Sequence, residues 1–417
     1  MSTTLAVPHR SQPLSHWLRW LETIHPVAID MGLERVSRVA DRLKLRPVSK
    51  PLILVGGTNG KGSTVAMLSA IYREAGYTTG AYTSPHILNF CERIRINGNM
   101  VDEASVVDAL AFIEAGRGPE SLTYFEYTTL AAMRVFSIMQ CEVILVEVGL
   151  GGRLDATNIW DADCSIVTSI ALDHEAYLGS DVSTIATEKA AIGRSGKPFI
   201  LGASMPPASL AFYIEQHDFK LVDVGSMAID ELPETVMPGE HQRRNAGCAR
   251  AAIDALQPRL PVSEDVLSRA LMNTTLEGRF ERRVADGVNV VLDVAHNPAG
   301  ALALAEAWVA EFDSLSCECV FASLADKDVA GVVAALEPFV HTWHCVTLAA
   351  PRATTAQEIS RIVRETCGVS DVMEYEQVKE AIDAALVAAK SSGRPVLVTG
   401  SFYTVAAVQS VLQHSPA

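Results

Sequence analysis

The segment 51–76, PLILVGGTNGKGSTVAMLSAIYREAG, leaves few folds open to this chain. Leu52, Ile53, Leu54 and Val55 form an unbroken apolar run, the mark of a strand covered on both faces. Gly56, Gly57, Gly60 and Gly62 follow, giving a loop that tolerates positive φ and lets backbone amides crowd around an anion. Val65, Leu68 and Tyr72, with Met67 and Ile71 beside them, have helical spacing, and Gly76 suits a helix stop. Strand, glycine loop and helix N-terminus in that order make an anion site, because unpaired N–H groups and the helix dipole point at the loop. Lys61 adds a positive charge for phosphates, and Ser63 or Thr64 supplies a hydroxyl for Mg²⁺. The spacing departs from the standard G-x-x-x-x-G-K-[ST]: Val55 holds the place of the first glycine, and Gly62 separates Lys61 from Ser63.

Strand-like runs alternate with helical patterns from residue 51 to about residue 270, among them KPLILVGG, TTGAYTS, EVILVEVG, DCSIVTSI and KPFILG. That alternation predicts a parallel sheet covered by helices. Residues 278–287, GRFERRVADG, are polar and bracketed by glycine, as a linker would be. A second series follows: VNVVLDVAHN, CECVFASLAD, HTWHCVTLAA, VSDVMEYE and RPVLVTGSF. The predicted class is therefore α/β. An N-terminal P-loop ATPase domain with a mainly parallel sheet spans 1–280, a linker covers 281–287, and a smaller Rossmann-like domain spans 288–417. A cleft between two such domains is the default place for a ligand.

Composition narrows the function. A net charge of −15 with no basic face argues against a nucleic-acid surface. No apolar run reaches the length of a membrane helix, and the first residues lack the apolar core and cleavage site of a signal peptide. Eight cysteines are scattered through strands and helices, so reduced thiols and a cytoplasmic location are expected. Cys317 and Cys319 would share one strand face, as packed thiols rather than a metal pair. A monomer acting on small molecules is the expectation.

Several polar residues stand at strand ends, which share one crevice in an open parallel sheet. Glu147 closes the run CEVILVE, where an acid in a P-loop protein reads as a Mg²⁺ anchor. Ser84 in YTSPH, and Asp173 with His174 in TSIALDH, lie just past other apolar runs. Lys189 falls in the alanine-rich TEKAAIG, where composition alone favours a solvated lysine.

Together these segments resemble the folylpolyglutamate synthase and dihydrofolate synthase family of the Mur ligase superfamily, ATP-dependent enzymes that form amides. The resemblance runs from about Asp30 to the last helix and rests on DMGLERV, GTNGKGS, YTSPH, LTYFEY, EVGLGGRLDATN, TSIALDH, EKAAI, LEGRF, DVAHNP, DKD and GSFYTV. It implies that G-T-N-G-K-G-[ST] is a P-loop of the superfamily's own kind. Thr58, Asn59, Gly60, Lys61, Gly62 and Ser63 would hold the ATP phosphates. Asn245, Arg279, Asp293 and His296 would be further nucleotide contacts, the last two completing the site on closure of the second domain. Ser84 and Glu147 would bind one Mg²⁺ and His174 a second, with Lys189 carbamylated into an oxygen ligand. Ala28, Ile29, Asp30 and Met31, Thr123, Tyr124, Phe125 and Glu126, and Leu154, Asp155 and Ala156 would contact the pterin substrate. Glu175 stands where the family pattern has threonine.

The implied reaction is ligation of L-glutamate to dihydropteroate and to the γ-carboxylate of reduced folates. A carboxylate is a poor electrophile, so ATP would first convert it to an acyl phosphate, with Lys61 and two Mg²⁺ ions offsetting charge on the transferring group. A single-function folylpolyglutamate synthase is the nearest alternative. A peptidoglycan-type Mur ligase would need a UDP-binding domain ahead of the P-loop, for which about 55 residues are too few. A nucleotide-dependent switch draws support only from LADKD at 324–328, which partly resembles the guanine motif N-K-x-D.

Overall fold

The computed structural model describes residues 6–27, 29–313, 315–350, 352–368 and 371–414. The chain divides into two compact units, one of 1–234 with 243–274 and one of 235–242 with 275–417.

Among the described residues, the first unit holds an eight-stranded sheet in the order β4-β3-β2-β5-β1-β6-β7-β8. Its strands are β1 Leu52–Gly56, β2 Thr79–Tyr82, β3 Ile94–Ile96, β4 Asn99–Met100, β5 Val143–Glu147, β6 Cys164–Val167, β7 Pro198–Leu201 and β8 Lys220–Asp223. Strand β1 is buried along its whole length, as its apolar run requires, and pairs in parallel with β5 on one side and β6 on the other. The chain thus reverses direction across the sheet at β1, the switch point at which α/β sheets open a crevice beyond their strand ends. The helix Lys61–Glu74 follows β1, burying Val65, Met67, Leu68, Ile71 and Tyr72, and ends at Gly76 in the left-handed region, φ 93°. The edge strands β3 and β4 run antiparallel, so the sheet is mainly rather than wholly parallel.

The second unit carries the order β13-β12-β11-β14-β10-β9: β9 Glu281–Ala285, β10 Val288–Leu292, β11 Cys317–Phe321, β12 Val340–Val346, β13 Val372–Tyr375 and β14 Val396–Thr399. Residues 281–287, expected as a linker, instead form β9 and its turn onto β10, paired antiparallel from Glu281↔Leu292 to Ala285↔Val288. The strand is polar because it sits at the sheet edge, with side chains alternately half-buried and exposed. Residues 275–280 also belong here: Gly278 N donates to Glu281 Oε2 and Phe280 N to Asp293 Oδ2, both at 2.8 Å. Cys317 and Cys319 are buried in the core with Trp308 and Trp343, packed thiols as expected. No helix among the described residues is long and apolar enough to cross a membrane.

Candidate active site

The glycine loop after β1 is strapped to the segment that follows β6. Thr58 N donates to Ser169 O at 2.9 Å, Thr58 Oγ1 to Ala171 O at 3.1 Å, and Asn59 N to Ser169 Oγ at 2.9 Å. Gly60 has φ 91°, and a Cβ there would lie 2.4 Å from Asn245 Oδ1. Only glycine fits the conformation and the contact, and Asn245 is thereby placed against the loop. Lys61 Nζ donates to the Gly57 and Thr58 carbonyls at 3.0 Å each, folding over the loop that it follows. The two candidate hydroxyls separate cleanly. Thr64 Oγ1 donates to Gly60 O at 3.0 Å, whereas Ser63 Oγ is buried with no hydrogen-bond partner among the described residues. An orphaned buried hydroxyl at a helix N-terminus behind a glycine loop fits a phosphate and its metal ion.

Two other strand ends supply hard oxygen donors. Glu147 ends β5 with 5% of its surface exposed, and Ser84 N, just past β2, donates to its Oε2 at 3.2 Å. His174 adopts a left-handed conformation, φ 53°, with its N–H on Asp173 Oδ1 at 2.8 Å. Its ring is exposed while Asp173 is largely covered, their closest approach being 3.9 Å. No group of three or more His, Cys, Asp or Glu side chains suited to a metal gathers among the described residues. The expected ligand set needs none, because it draws on only Glu147 and His174 from those types.

Lys189 is not the solvated lysine that composition suggests. It sits in the helix Val182–Ala190 with 4% of its surface exposed. Burial, followed by the charge of Lys61, lowers its pKa to about 7, and Asp173 only partly opposes the shift. The amine is thus substantially uncharged at neutral pH, as reaction with CO₂ requires. The glycine-rich segment after β5 leans on the same helix, Arg153 N donating to Glu188 O at 2.9 Å.

Of the segments expected to take the pterin, 29–31 and 123–126 are joined through Arg35, and Phe125 touches Gly149 in the loop that leads to 154–156. The helix Tyr124–Ile138 opens with a capping box: Thr123 Oγ1 accepts from Glu126 N at 3.2 Å, and Glu126 Oε2 from Thr123 N at 2.7 Å. Phe125 lies against Gly149, where a Cβ would come within 2.4 Å of its ring, and 6.0 Å from the Tyr82 ring. Asp155 braces the loop that continues from Gly149, accepting Leu150 N at 2.8 Å and Thr157 N at 2.9 Å. Beside it Leu154 is half-buried and Ala156 buried. Asp30 joins the assembly through Arg35, which also reaches Glu126. Ile29 is exposed and Met31 half-buried; Ala28 lies outside the described residues.

In the second unit Arg279 and His296 flank one aromatic ring. The Arg279 guanidinium lies 5.2 Å from the Phe402 ring centre and the His296 ring 6.1 Å from it, while Asp293 Oδ1 accepts Ala295 N at 2.8 Å. Asp328 in LADKD caps the helix Val329–Leu336, its Oδ1 accepting Gly331 N at 2.9 Å.

A protein of Escherichia coli strain K12 described as dihydrofolate synthase/folylpolyglutamate synthase is 40% identical to this chain, over 97% of each. The chain belongs to that family. Residues 278–402 match the model of the Mur ligase glutamate ligase domain. Among solved members of the dihydrofolate synthase/folylpolyglutamate synthase family, E. coli FolC in complex with DHPP and ADP superposes with a TM-score of 0.90 at 40% identity. It covers 97% of this chain and 99% of that one. A bifunctional folylpolyglutamate synthase/dihydrofolate synthase with Mn, AMPPNP and L-glutamate bound gives a TM-score of 0.85 at 35% identity, covering 98% and 100%.

Sequence reasoning left several residues of this family member without a role. Phe402 stood in the quoted GSFYTV, but nothing in one sequence pairs it with Arg279. Arg93 donates to His86 Nδ1 at 2.9 Å and stacks near Phe90 and Tyr124. Burial and the Arg93 charge take His86 down to a pKa of about 4, so it accepts this bond as a neutral ring. Arg35 was legible only as part of DMGLERV.

Proposed function

We propose that this chain ligates L-glutamate to dihydropteroate, giving dihydrofolate, and to the γ-carboxylate of reduced folates, using ATP and a divalent metal. It acts as a cytoplasmic monomer on small molecules. The first unit binds ATP and the pterin body, and the second supplies the remaining nucleotide contacts and the glutamate ligase function. Its relatives act in the same chemistry: one is described by both synthase activities, and others are complexed with ADP, or with AMPPNP, Mn and L-glutamate.

The residues of the chain suit each step. The loop 58–63 holds the phosphates of ATP through its amides, with Lys61 as the cation, and Asn245 steadies Gly60. Ser63, Ser84, Glu147, His174 and a carbamylated Lys189 would hold two Mg²⁺ ions, the oxygens among them suiting a hard cation. When bound, those ions offset charge on the transferring phosphoryl group. The substrate carboxylate attacks the γ-phosphorus, ADP leaves, and the amine of glutamate displaces phosphate from the acyl phosphate. Tyr124 and Phe125 give a flat aromatic surface to the pterin end.

The observation that carries the reading is the contact of Phe125 with Gly149, two residues beyond Glu147. It supports the reading because the aromatic surface lies beside the strand end that carries Glu147, which would hold a metal ion. The test is ATP-dependent incorporation of radiolabelled glutamate, with dihydropteroate and tetrahydrofolate supplied separately. Both should be labelled. Labelling of tetrahydrofolate alone would leave a single-function folylpolyglutamate synthase, and labelling of neither would end the assignment.

A further inference from the structure

Two carboxylates from distant parts of the first unit share one guanidinium. Arg35 Nη1 donates to Asp30 Oδ2, and Nη2 to Asp30 O at 2.9 Å and Glu126 Oε1 at 3.1 Å. Glu126 is the most enclosed of the three, its side chain 4% exposed against 22% for Arg35. Its other oxygen already accepts Thr123 N, so both oxygens are engaged in holding the chain. His25 Nε2 lies 3.1 Å from Asp30 Oδ2 and braces that carboxylate from a third position. Burial pushes the Glu126 carboxyl up, and the Thr123 N–H and the Arg35 charge counter only part of it.

Burying an acid in this way costs free energy that an apolar contact of the same shape would not. What the bridge supplies instead is direction. A planar fork reaches acceptors on two segments at once and fixes the angle between them, which a lysine, a single point charge on a flexible stem, does not. The segments it fixes are 29–31 and the first turn of the helix that carries Tyr124 and Phe125. The phosphate loop is strapped elsewhere, to residues 169–171.

We propose that Arg35 is a positioning residue for the pterin pocket, acting on affinity for the pterin end and not on phosphoryl transfer. Asp30 and Glu126 serve as its anchors instead of reading the pterin ring directly. The inference rests on the assignment of 29–31 and 123–126 to the pterin substrate.

The full-length enzyme is compared with Arg35→Gln, Arg35→Lys, Asp30→Asn and Phe125→Ala by steady-state kinetics in dihydropteroate, ATP and glutamate. Arg35→Gln should raise KM for dihydropteroate roughly 10- to 100-fold, the size of effect that small misplacements produce. Its KM for ATP and its kcat at saturation should stay within about twofold of wild type. Arg35→Lys should recover only a small part, and Asp30→Asn should add little on top of Arg35→Gln, since both break one bridge. Should Arg35→Gln fail to fold, Asp30→Asn alone must show the same selective rise in KM. The proposal is overturned if the folded variant keeps its KM for dihydropteroate while Phe125→Ala raises it. It is equally overturned if kcat and both KM values deteriorate together, the mark of a purely structural arginine. If Phe125→Ala also leaves dihydropteroate binding untouched, the pocket assignment falls and takes the proposal with it.

Discussion

Lys61 presses on Lys189: with burial as the larger cause, its charge brings the buried amine down to a pKa of about 7. A free lysine holds its proton to about pH 10.4, so the folded protein releases it where the unfolded chain would not. Carbamylation needs the uncharged amine. Activity at limiting CO₂ should therefore fall as pH drops through about 7 and level off above it. Lys189→Ala should lose most activity, acetate restoring part of it, whereas normal turnover in that variant would leave Lys189 without a role. The stability sign follows from the same shift. In CO₂-free buffer the unfolded chain binds the extra proton between about pH 7 and 10, so stability rises with pH across that window. Lys189→Met should flatten the rise.

Lys61→Met keeps the apolar stem of the side chain and removes its charge. It loses two bonds to the loop carbonyls of Gly57 and Thr58, so the melting temperature should change little. Ligation should drop by about 10²–10³-fold or more, the loss typical of a group that stabilises transferring charge. Unchanged kcat would remove Lys61 from the phosphate site.

Phe125 packs against Gly149, two residues beyond Glu147. If Phe125 contacts the pterin end as proposed, Phe125→Ala should raise KM for dihydropteroate more than for a reduced folate. Glu147→Ala should lower kcat for both substrates together, since phosphoryl transfer is common to them. Parallel effects from both variants would contradict the division of labour.

Glu318 in β11 is almost wholly enclosed beside His344 at 3.3 Å and Arg394 at 3.4 Å. Burial pushes its pKa up, but the His344 and Thr342 hydrogen bonds and the nearby histidine charges outweigh that and hold it low. A depressed carboxyl adds stability above its unfolded pKa and loses it as pH falls through the folded value. Glu318→Gln should cost about 3 kcal/mol at pH 7 by stranding its partners. That gap, read from urea midpoints, should narrow below about pH 4. An unchanged midpoint at pH 7 would show that the network adds nothing.

The parts of the molecule legible in sequence are those with strong local pattern. The buried run of β1, the glycine loop and the helical spacing of Val65, Leu68 and Tyr72 predict strand, loop and helix in that order, and the structure builds them. The edge strands were harder. Strand β8 is exposed along its length, β4 has two residues, and β9 is polar enough to pass for a linker, because edge strands are held by backbone pairing and not by an apolar face. Composition alone points Lys189 to solvent, since a single lysine among alanines carries no sign of which helix face is covered, and only the family resemblance sets it apart. Arg35 was hidden for a different reason: its partner Glu126 is 91 residues away, a distance over which one sequence carries no signal.

Activation of the substrate carboxylate by ATP leaves an isotopic trace in the released phosphate. Dihydropteroate labelled with ¹⁸O in its carboxylate is incubated with the enzyme, ATP, Mg²⁺ and L-glutamate, and the released phosphate is analysed by mass. An acyl phosphate passes one carboxylate oxygen to phosphate when the amine displaces it, so each dihydrofolate formed should yield one phosphate carrying a single ¹⁸O. Dihydrofolate accompanied by unlabelled phosphate, or ATP hydrolysis with no dihydrofolate at all, would contradict the account.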